Sequence, residues 1–301
     1  MFAAAALAVL GCAAPAPPAP EPAEVASPLA FEVESPAGAR AVLFGSAHLA
    51  RPDQWSLPET VTRAFENAKV LVLEVDLSAT TPEEMQELML ALGVMPPGQR
   101  LRQVVSDETW RLLEAHAADT GIELALLDRL KPWVVALQLS VLSMQQAGFD
   151  AQHGVELSLL RESNGIPLRG LETPYEQLAV FDGLAYPVQD RMLLEALKPR
   201  AEQTSELDEL MEAWRRGDAE RIEAIVFKDR SDPKLARFYE EIYERRNRRM
   251  AEALEEILAE THPAFVVVGA GHLVGDKSVQ AWLRESGFRT RQVSGQRRRG
   301  R

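Results

Sequence analysis

The sequence has a single cysteine, Cys12, so no disulfide bond can form within the chain. It also lacks a long internal hydrophobic run. The best candidate, WVVALQLSVLSM, is broken by Gln138 and two serines and falls short of the roughly 18 apolar residues that span a bilayer. Basic residues are in the minority, and the formal net charge is −12. Because phosphate binding needs concentrated positive charge, we expect no nucleic-acid partner.

Several common catalytic motifs are missing as well. The chain has no Gly-x-Ser-x-Gly, no phosphate-binding P-loop, no His-Glu-x-x-His and no cysteine pair. The segment GAGHLVG resembles a dinucleotide-binding loop, but it lacks the full glycine spacing and has a histidine where the helix should begin. These absences disfavour a nucleotide cofactor and a serine nucleophile.

The N-terminal segment MFAAAALAVLGCAAP resembles a bacterial lipoprotein signal, in which Cys12 becomes the lipidated first residue of the mature chain. No Lys or Arg follows Met1 and the run is short, which a mis-called start codon would explain. The alternative is a disordered apolar N-terminus with a chance cysteine. Because Ala13 rather than Asp follows the cysteine, the resemblance implies an outer-membrane lipoprotein that faces the periplasm.

The composition predicts four segments. Residues 1–12 form the signal segment, and residues 13–28 form a linker rich in Pro and Ala that cannot pack a core. Residues 29–294 form the folded domain. Residues 295–301 form a basic disordered tail, since they are short and dense in arginine.

Short apolar runs that alternate with helical patterns predict an α/β fold. FEVES and ARAVLFG are typical of a hairpin, and VLVLEVD and AFVVVG are typical of buried strands. We predict two β–Gly-x-x-His–α–β units in a mainly parallel or mixed sheet. A large helical insertion between them, with short strands at ELALLD and IPLRGLET, is predicted to cap a cleft.

Two histidines, His48 and His272, each follow an apolar run in a Gly-x-x-His arrangement. Ligands of open α/β sheets bind at the carboxyl ends of strands, so the two imidazoles would converge if their strands were neighbours. The glycines allow a ligand to approach closely and allow positive φ at the bend. Neutral imidazole binds divalent transition metals. Alternatively, each histidine is a structural residue with satisfied hydrogen bonds.

A hydrolytic metal site also needs carboxylates and a position for water. Glu74 in VLVLEVD and Glu172 in LRGLET come at the ends of other predicted strands. The alternative roles for these acids are helix capping or an ion pair with an arginine such as Arg169.

Arg246 and Asn247 belong to a helical segment dense in charge, YERRNRRMAE, where most positions are expected to be solvated. Asn247 precedes Met250 by three residues and therefore lies near the apolar face of that helix. An inward-facing Asn needs a partner, which a cleft can supply. We interpret His116, in a polar helix, and His262, in a Thr-His-Pro turn, as structural residues.

The chain resembles the TraB/PrgY/GumN family, to which the TIKI metalloproteases are related. The matching stretches extend from about 41 to 293, and include LFGSAHLARPDQWSLPETVTRAFENAKVLVLEVDL, GLETPYEQLAVFDGL, ERRNRRMAEAL and FVVVGAGHLVGDKSVQAWLRESGFRTRQV. The resemblance implies a peptidase-like site that depends on a divalent metal, with Mn²⁺ or Co²⁺ favoured and Zn²⁺ possible. The residues that match the family's proposed active site are His48, His272, Glu74, Glu172, Arg246 and Asn247.

These observations predict a metal-dependent hydrolase of the bacterial cell envelope that acts on a peptide or amide. His48, His272 and one acid would hold the metal, and the other glutamate would act as general base. Arg246 or Asn247 would stabilise the oxyanion. The sequence leaves open which glutamate is the ligand, and it leaves the oligomeric state open. The alternative is a non-catalytic protein that sequesters a peptide or signal molecule.

Overall fold

A computed structural model of the protein describes residues 29–52 and 54–293. Within this part of the chain, six strands form one sheet in the order β4-β3-β5-β2-β1-β6. The strands are β1 (Ala30–Glu34), β2 (Arg40–Ser46), β3 (Val70–Val75), β4 (Leu168–Glu172), β5 (Ala264–Gly269) and β6 (Arg289–Gln292).

The four strands β4, β3, β5 and β2 run parallel to one another. Strand β1 pairs antiparallel with β2, and β6 pairs antiparallel with β1. This mixed sheet confirms the predicted α/β class. Strands β2 and β5 are direct neighbours, in a register that ends with Ser46 opposite Gly269. The two strands that precede the Gly-x-x-His histidines therefore end side by side.

Strands β3 and β5 lie in the interior of the sheet, and every residue of both strands is buried. Their sequences, VLVLEV and AFVVVG, show no alternation of polar and apolar residues because helices cover the central part of a parallel sheet on both faces. Aromatic rings complete this core, with Phe65 packed 5.5 Å from Phe265 and Trp214 packed 6.2 Å from Phe44 between ring centroids. Glu74 is the one charged side chain in these two strands, so its burial needs a specific partner.

Helices connect and surround the sheet. They are α1 (Glu59–Glu66), α2 (Pro82–Gly93), α3 (Asp107–Thr120), α4 (Leu124–Leu127), α5 (Pro132–Gln146), α6 (Val155–Glu162), α7 (Pro174–Asp182), α8 (Tyr186–Ala196), α9 (Arg200–Arg216), α10 (Ala219–Val226), α11 (Ala236–Tyr239), α12 (Arg245–Glu260) and α13 (Val279–Glu285). A π-helical turn, Glu240–Glu244, leads into α12, and 3₁₀ turns cover Leu77–Ala79, Leu101–Gln103, Ala151–His153 and Ala270–Leu273.

The helical insertion differs from the predicted one in its first short strand. ELALLD forms the single turn α4 rather than a strand, whereas the predicted strand in IPLRGLET is β4. A short apolar run fits either a strand or a helical turn. Here Leu127 packs into the core from a helical turn, while the place beside β3 is taken by β4.

The second β–Gly-x-x-His–α–β unit also differs from the first in its geometry. In the first unit, β2, α1 and β3 form a parallel crossover that leaves room for β5 between the two strands. In the second unit, α13 leads from β5 to β6, which lies antiparallel to β1 at the edge of the sheet. The two units therefore share a sequence pattern without sharing a topology.

The predicted lipidation site Cys12, the signal segment and the linker lie outside the described residues, as does the predicted basic tail. Among the residues that the structure describes, no helix is both long enough and apolar enough to cross a membrane.

Candidate active site

Four neighbouring parallel strands, or the loops that follow them, each contribute one side chain to a cluster at the carboxyl ends of the strands. His48 follows β2, Glu74 lies in β3, Glu172 ends β4, and His272 lies in the 3₁₀ turn that follows β5. The structure brings the two histidines together at one carboxylate oxygen. Glu74 Oε1 lies 4.0 Å from His48 Nε2 and 3.7 Å from His272 Nε2. The parallel pairing of the strands explains this convergence.

Asn247 orients the imidazole of His272. Its amide nitrogen donates a hydrogen bond to the backbone oxygen of Lys277 at 2.7 Å, so its Oδ1 is an acceptor. That Oδ1 lies 2.5 Å from His272 Nδ1. The proton of the neutral ring is therefore held on Nδ1, and the lone pair on Nε2 accepts a long hydrogen bond from Arg246 Nη1 at 3.4 Å, beside Glu74 Oε1.

Glu156 plays the corresponding part for His48, and the sequence analysis did not identify it. Its Oε1 lies 2.7 Å from His48 Nδ1 and accepts a second hydrogen bond from the hydroxyl of Ser46. Both histidines thus use Nδ1 for an acceptor from another element and direct Nε2 towards Glu74. A histidine that binds a metal through Nε2 commonly has this second interaction at Nδ1.

Gly154 explains how Glu156 reaches His48. A Cβ atom at Gly154 would lie 2.1 Å from the backbone oxygen of His48, so only glycine allows the chain to approach this closely. The next residue, Val155, donates its N–H to Ala47 O at 3.1 Å and begins α6. The extended backbone at Gly154 separates the 3₁₀ turn Ala151–His153 from α6. Gly154 directly before a helix whose first turn contains Glu156 was the sequence feature that could have indicated this contact.

Arg246 forms ion pairs with both predicted acids, Glu74 and Glu172. Its Nη2 lies 2.7 Å from Glu74 Oε2, and its Nε lies 3.1 Å from Glu172 Oε2, with a further bond from Nη2 to Glu172 Oε1. Gln177 Nε2 links the same two carboxylates at 3.4 and 3.3 Å. Arg169, the other candidate partner, instead lies 3.8 Å from Glu260 at the surface.

The burial of Arg246 and Asn247 is unusual for a helix so rich in charge. Both are 1 % exposed, whereas Arg245 and Arg248 on the same helix extend into solvent. The π-helical turn Glu240–Glu244 directly precedes them. Such a turn shifts the helical register and often occurs near functional sites. It leaves α12 with these two polar residues facing the site.

The two glutamates that bind Arg246 have pKa values shifted in opposite directions. Burial raises the pKa of Glu74, but His272, Arg246 and His48 together outweigh it and lower the value to about 2. For Glu172, burial is the larger effect, and its pKa is raised even though Arg246 opposes this. Glu74 is thus held as a carboxylate beside the histidines, and Glu172 accepts a proton more readily.

The two histidines are also shifted in opposite directions. Burial lowers the pKa of both rings. For His48 the carboxylate of Glu156, with help from Glu74, outweighs burial and raises the pKa to about 9. For His272, whose Nδ1 faces a neutral amide, burial prevails over the attraction of Glu74 and the pKa falls to about 3.

The glycines of the second histidine loop serve close packing rather than positive φ. Gly269 has a φ of −52°, and in this loop the left-handed region is occupied at Gly275. A Cβ atom at Gly269 would lie 2.8 Å from His48 Nε2. The backbone N–H of Gly269 donates a hydrogen bond to Glu74 Oε1 at 2.6 Å. A Cβ atom at Gly271 would lie 2.9 Å from a ring carbon of Tyr243. Both positions therefore exclude a side chain.

The donors partly fit a divalent metal. Two ligand atoms bound at about 2.1 Å to a tetrahedral ion lie roughly 3.4 Å apart. The separations from Glu74 Oε1 to the two Nε2 atoms exceed this by a few tenths of an ångström. Among the described residues, no group of three His, Cys, Asp or Glu side chains is already arranged around an ion position. His116, half-buried in α3, and the exposed His262 lie outside this cluster.

The fold and the cluster together define an α/β protein with a histidine–carboxylate site at the carboxyl ends of the parallel strands. The chain belongs to the TraB/PrgY/gumN family, whose model matches residues 29–292. It is similar to the uncharacterized protein YbaP of Shigella flexneri and of Escherichia coli (strain K12). Each is 24% identical over 258 residues, which cover 85% of this chain and 92% of the relative. No solved structure is significantly similar to the chain.

The lowered pKa of His272 predicts how the stability of the metal-free protein depends on pH. Between about pH 5 and pH 6, His272 is neutral in the folded protein but protonated in the unfolded chain. His48 is protonated in both states there, because its folded pKa is about 9. At His272 the unfolded state therefore binds up to one more proton, so this residue makes the free energy of unfolding decrease as the pH falls, by up to about 1.4 kcal/mol per pH unit, while the raised pKa of Glu172 acts in the opposite direction.

Denaturant unfolding at several pH values, with a chelator present, measures this slope for the wild type and for His272→Asn. The variant lacks the titrating group, so its free energy of unfolding should depend less steeply on pH in this window. Equal slopes for the two proteins would show that His272 is protonated in the folded state.

Proposed function

We propose that the protein is a metal-dependent hydrolase of a peptide or amide bond, with a divalent ion held by His48, His272 and Glu74. The observation that carries this proposal is the matched orientation of the two imidazoles. Each ring has its Nδ1 against an oxygen acceptor, Glu156 for one and Asn247 for the other, and each directs Nε2 towards Glu74 Oε1. Imidazole nitrogens and a carboxylate suit Mn²⁺, Co²⁺ or Zn²⁺.

The charges of the cluster also support a divalent cation. Glu74, Glu156 and Glu172 carry three negative charges when ionised, and the guanidinium of Arg246 offsets one of them. With both imidazoles neutral, a charge of −2 is left, which a divalent cation balances. Because the pKa of His48 is about 9 in the metal-free protein, metal binding has to displace its proton.

The side chains take the following parts in this proposal. A divalent ion would activate water and polarise the scissile carbonyl. Glu172 is proposed as the proton acceptor because its pKa is raised, and one of the bonds from Arg246 to its two oxygens has to break before it accepts a proton. Arg246 fixes the positions of both carboxylates, and Asn247 fixes the ring of His272. Stabilisation of an oxyanion by Arg246 or Asn247 stays a prediction, because the described contacts engage both side chains with protein partners.

We also propose that the enzyme is anchored in the outer membrane by lipid at Cys12 and faces the periplasm. The support is the lipoprotein-like segment and the Pro/Ala-rich linker after it. Full-length protein expressed in a Gram-negative host should be found in the outer-membrane fraction, and Cys12→Ser should be released from it. Unchanged fractionation of the variant would remove the anchor from this account.

Metal content and peptide hydrolysis test the central proposal. Purified wild-type protein, incubated with Mn²⁺, Co²⁺ or Zn²⁺ and then desalted, should retain about one ion per chain by elemental analysis. It should hydrolyse a fluorogenic peptide mixture, and a chelator should stop this. Loss of the ligand in His272→Ala should weaken metal binding on the order of a hundredfold or more, since even loss of an outer-shell partner costs 10–100-fold.

His116→Ala is the matched control, because it makes the same substitution at a histidine outside the cluster. It should retain its metal and its activity, with stability within about 0.5 kcal/mol of the wild type. If the wild type takes up none of the three metals, the metallohydrolase proposal is wrong. A peptide that is bound equally well with chelator present, and never hydrolysed, would instead support a sequestering protein.

A further inference from the structure

A cavity of about 120 Å³ opens directly beside the two histidines. Ser46, His48, Gly271 and His272 form part of its wall, together with Gly269. Most of the remaining wall is apolar and comes from the helical insertion, and Leu49 is contributed by the loop after β2. The apolar side chains that line it are Leu49, Met144, Met192, Leu207, Leu210, Met211, Trp214, Ile222, Val226 and Tyr243.

The charged side chains near this cavity are already paired with one another. Glu195 lies 2.6 Å from Lys198, and Glu206 lies 2.7 Å from Lys228. The amide nitrogen of Gln203 donates to the backbone oxygens of Ala196 and Lys198. Away from the histidines, these pairs leave no uncompensated charge on the described lining, so that part of the cavity favours a neutral apolar occupant.

The wall of the cavity is continuous with the candidate active site. Tyr243 packs against His272, with ring centroids 5.4 Å apart. A Cβ atom at Gly271 would meet Tyr243 at 2.9 Å and Val226 at 3.4 Å. The backbone at Gly271 therefore lies in contact with apolar lining on one side and leads directly into His272. If an apolar side chain of a substrate occupied the cavity, the amide bond beside that side chain would lie next to the two histidines.

We infer that this cavity binds one leucine-sized aliphatic side chain of a peptide or amide substrate, next to the bond that is cleaved. The size supports this class, since an apolar cavity of about 150 Å³ accommodates a benzene molecule. The three methionines add an adaptable lining, because the unbranched thioether fits irregular shapes. This inference rests on the proposed function for the cleavage step, but the binding of the side chain can be measured without turnover.

The test compares two ligands of nearly equal size and shape, N-acetyl-L-leucinamide and N-acetyl-L-asparaginamide. Binding is titrated by protein-observed NMR on the full chain, with and without chelator. The leucine compound should bind at least about tenfold more tightly than the asparagine compound, because burial of its isobutyl group is favourable. The preference should be the same with chelator, since the cavity itself is formed by protein side chains.

Leu207→Trp fills the cavity from a partly buried lining position, and it should weaken binding of N-acetyl-L-leucinamide at least about tenfold. Leu126→Trp is the matched control, because Leu126 is 60% exposed on α4 and does not line the cavity. It should bind within about twofold of the wild type. If circular dichroism shows that Leu207→Trp is unfolded, the equivalent substitution at Leu210 replaces it.

Equal binding of the two amides, no detectable binding of either, or unchanged binding by the filled variant would each overturn the inference. Leucine-selective binding in a protein without hydrolytic activity would support the cavity and contradict the proposed function. Hydrolysis with no preference for leucine at any peptide position would contradict the cavity and leave the proposed function standing.

Discussion

The structure depends on the guanidinium of Arg246, which is buried between the carboxylates of Glu74 and Glu172. Removing charged groups from water is costly, and two buried carboxylates on adjacent strands would repel each other without a cation between them. Arg246 comes from α12 and reaches both β3 and β4. The ion-pair network therefore fixes the helix of the insertion against the ends of the parallel strands.

This network determines what Glu74 can do. Its Oε2 is occupied by Arg246, and its Oε1 accepts the N–H of Gly269 and faces both imidazoles. The same helix supplies Asn247 to orient His272, while α6 supplies Glu156 to orient His48. Elements from distant parts of the chain thus support one carboxylate oxygen and two ring nitrogens. In the proposed metal site these three atoms would have to move closer together by a few tenths of an ångström, and His48 would have to lose a proton.

Local patterns predicted much of the fold and of this cluster. The apolar runs and the repeated Gly-x-x-His pattern predicted the parallel strands, and chemistry at strand ends pointed to His48, His272, Glu74 and Glu172. Glu156 was missed because it reaches His48 only after α6 packs against the loop that follows β2. These two segments are about a hundred residues apart in the sequence, and no local pattern indicates that they meet. The prediction of a strand at ELALLD was wrong because a short apolar run fits a strand or a helical turn equally well. The strand that pairs with β3 is β4. The burial of an arginine in a highly charged helix depends on a π-helical turn that sequence periodicity does not reveal.

The central claim is that the two Nε2 atoms and Glu74 Oε1 form one metal site. The most direct test is a crystal structure of the Co²⁺-loaded protein, with anomalous diffraction recorded at the cobalt edge. We predict one strong peak about 2 Å from His48 Nε2, His272 Nε2 and Glu74 Oε1, a distance typical of transition-metal bonds to nitrogen and oxygen. A peak elsewhere, or no peak within bonding distance of these three atoms in crystals of the cobalt-loaded protein, would contradict the account.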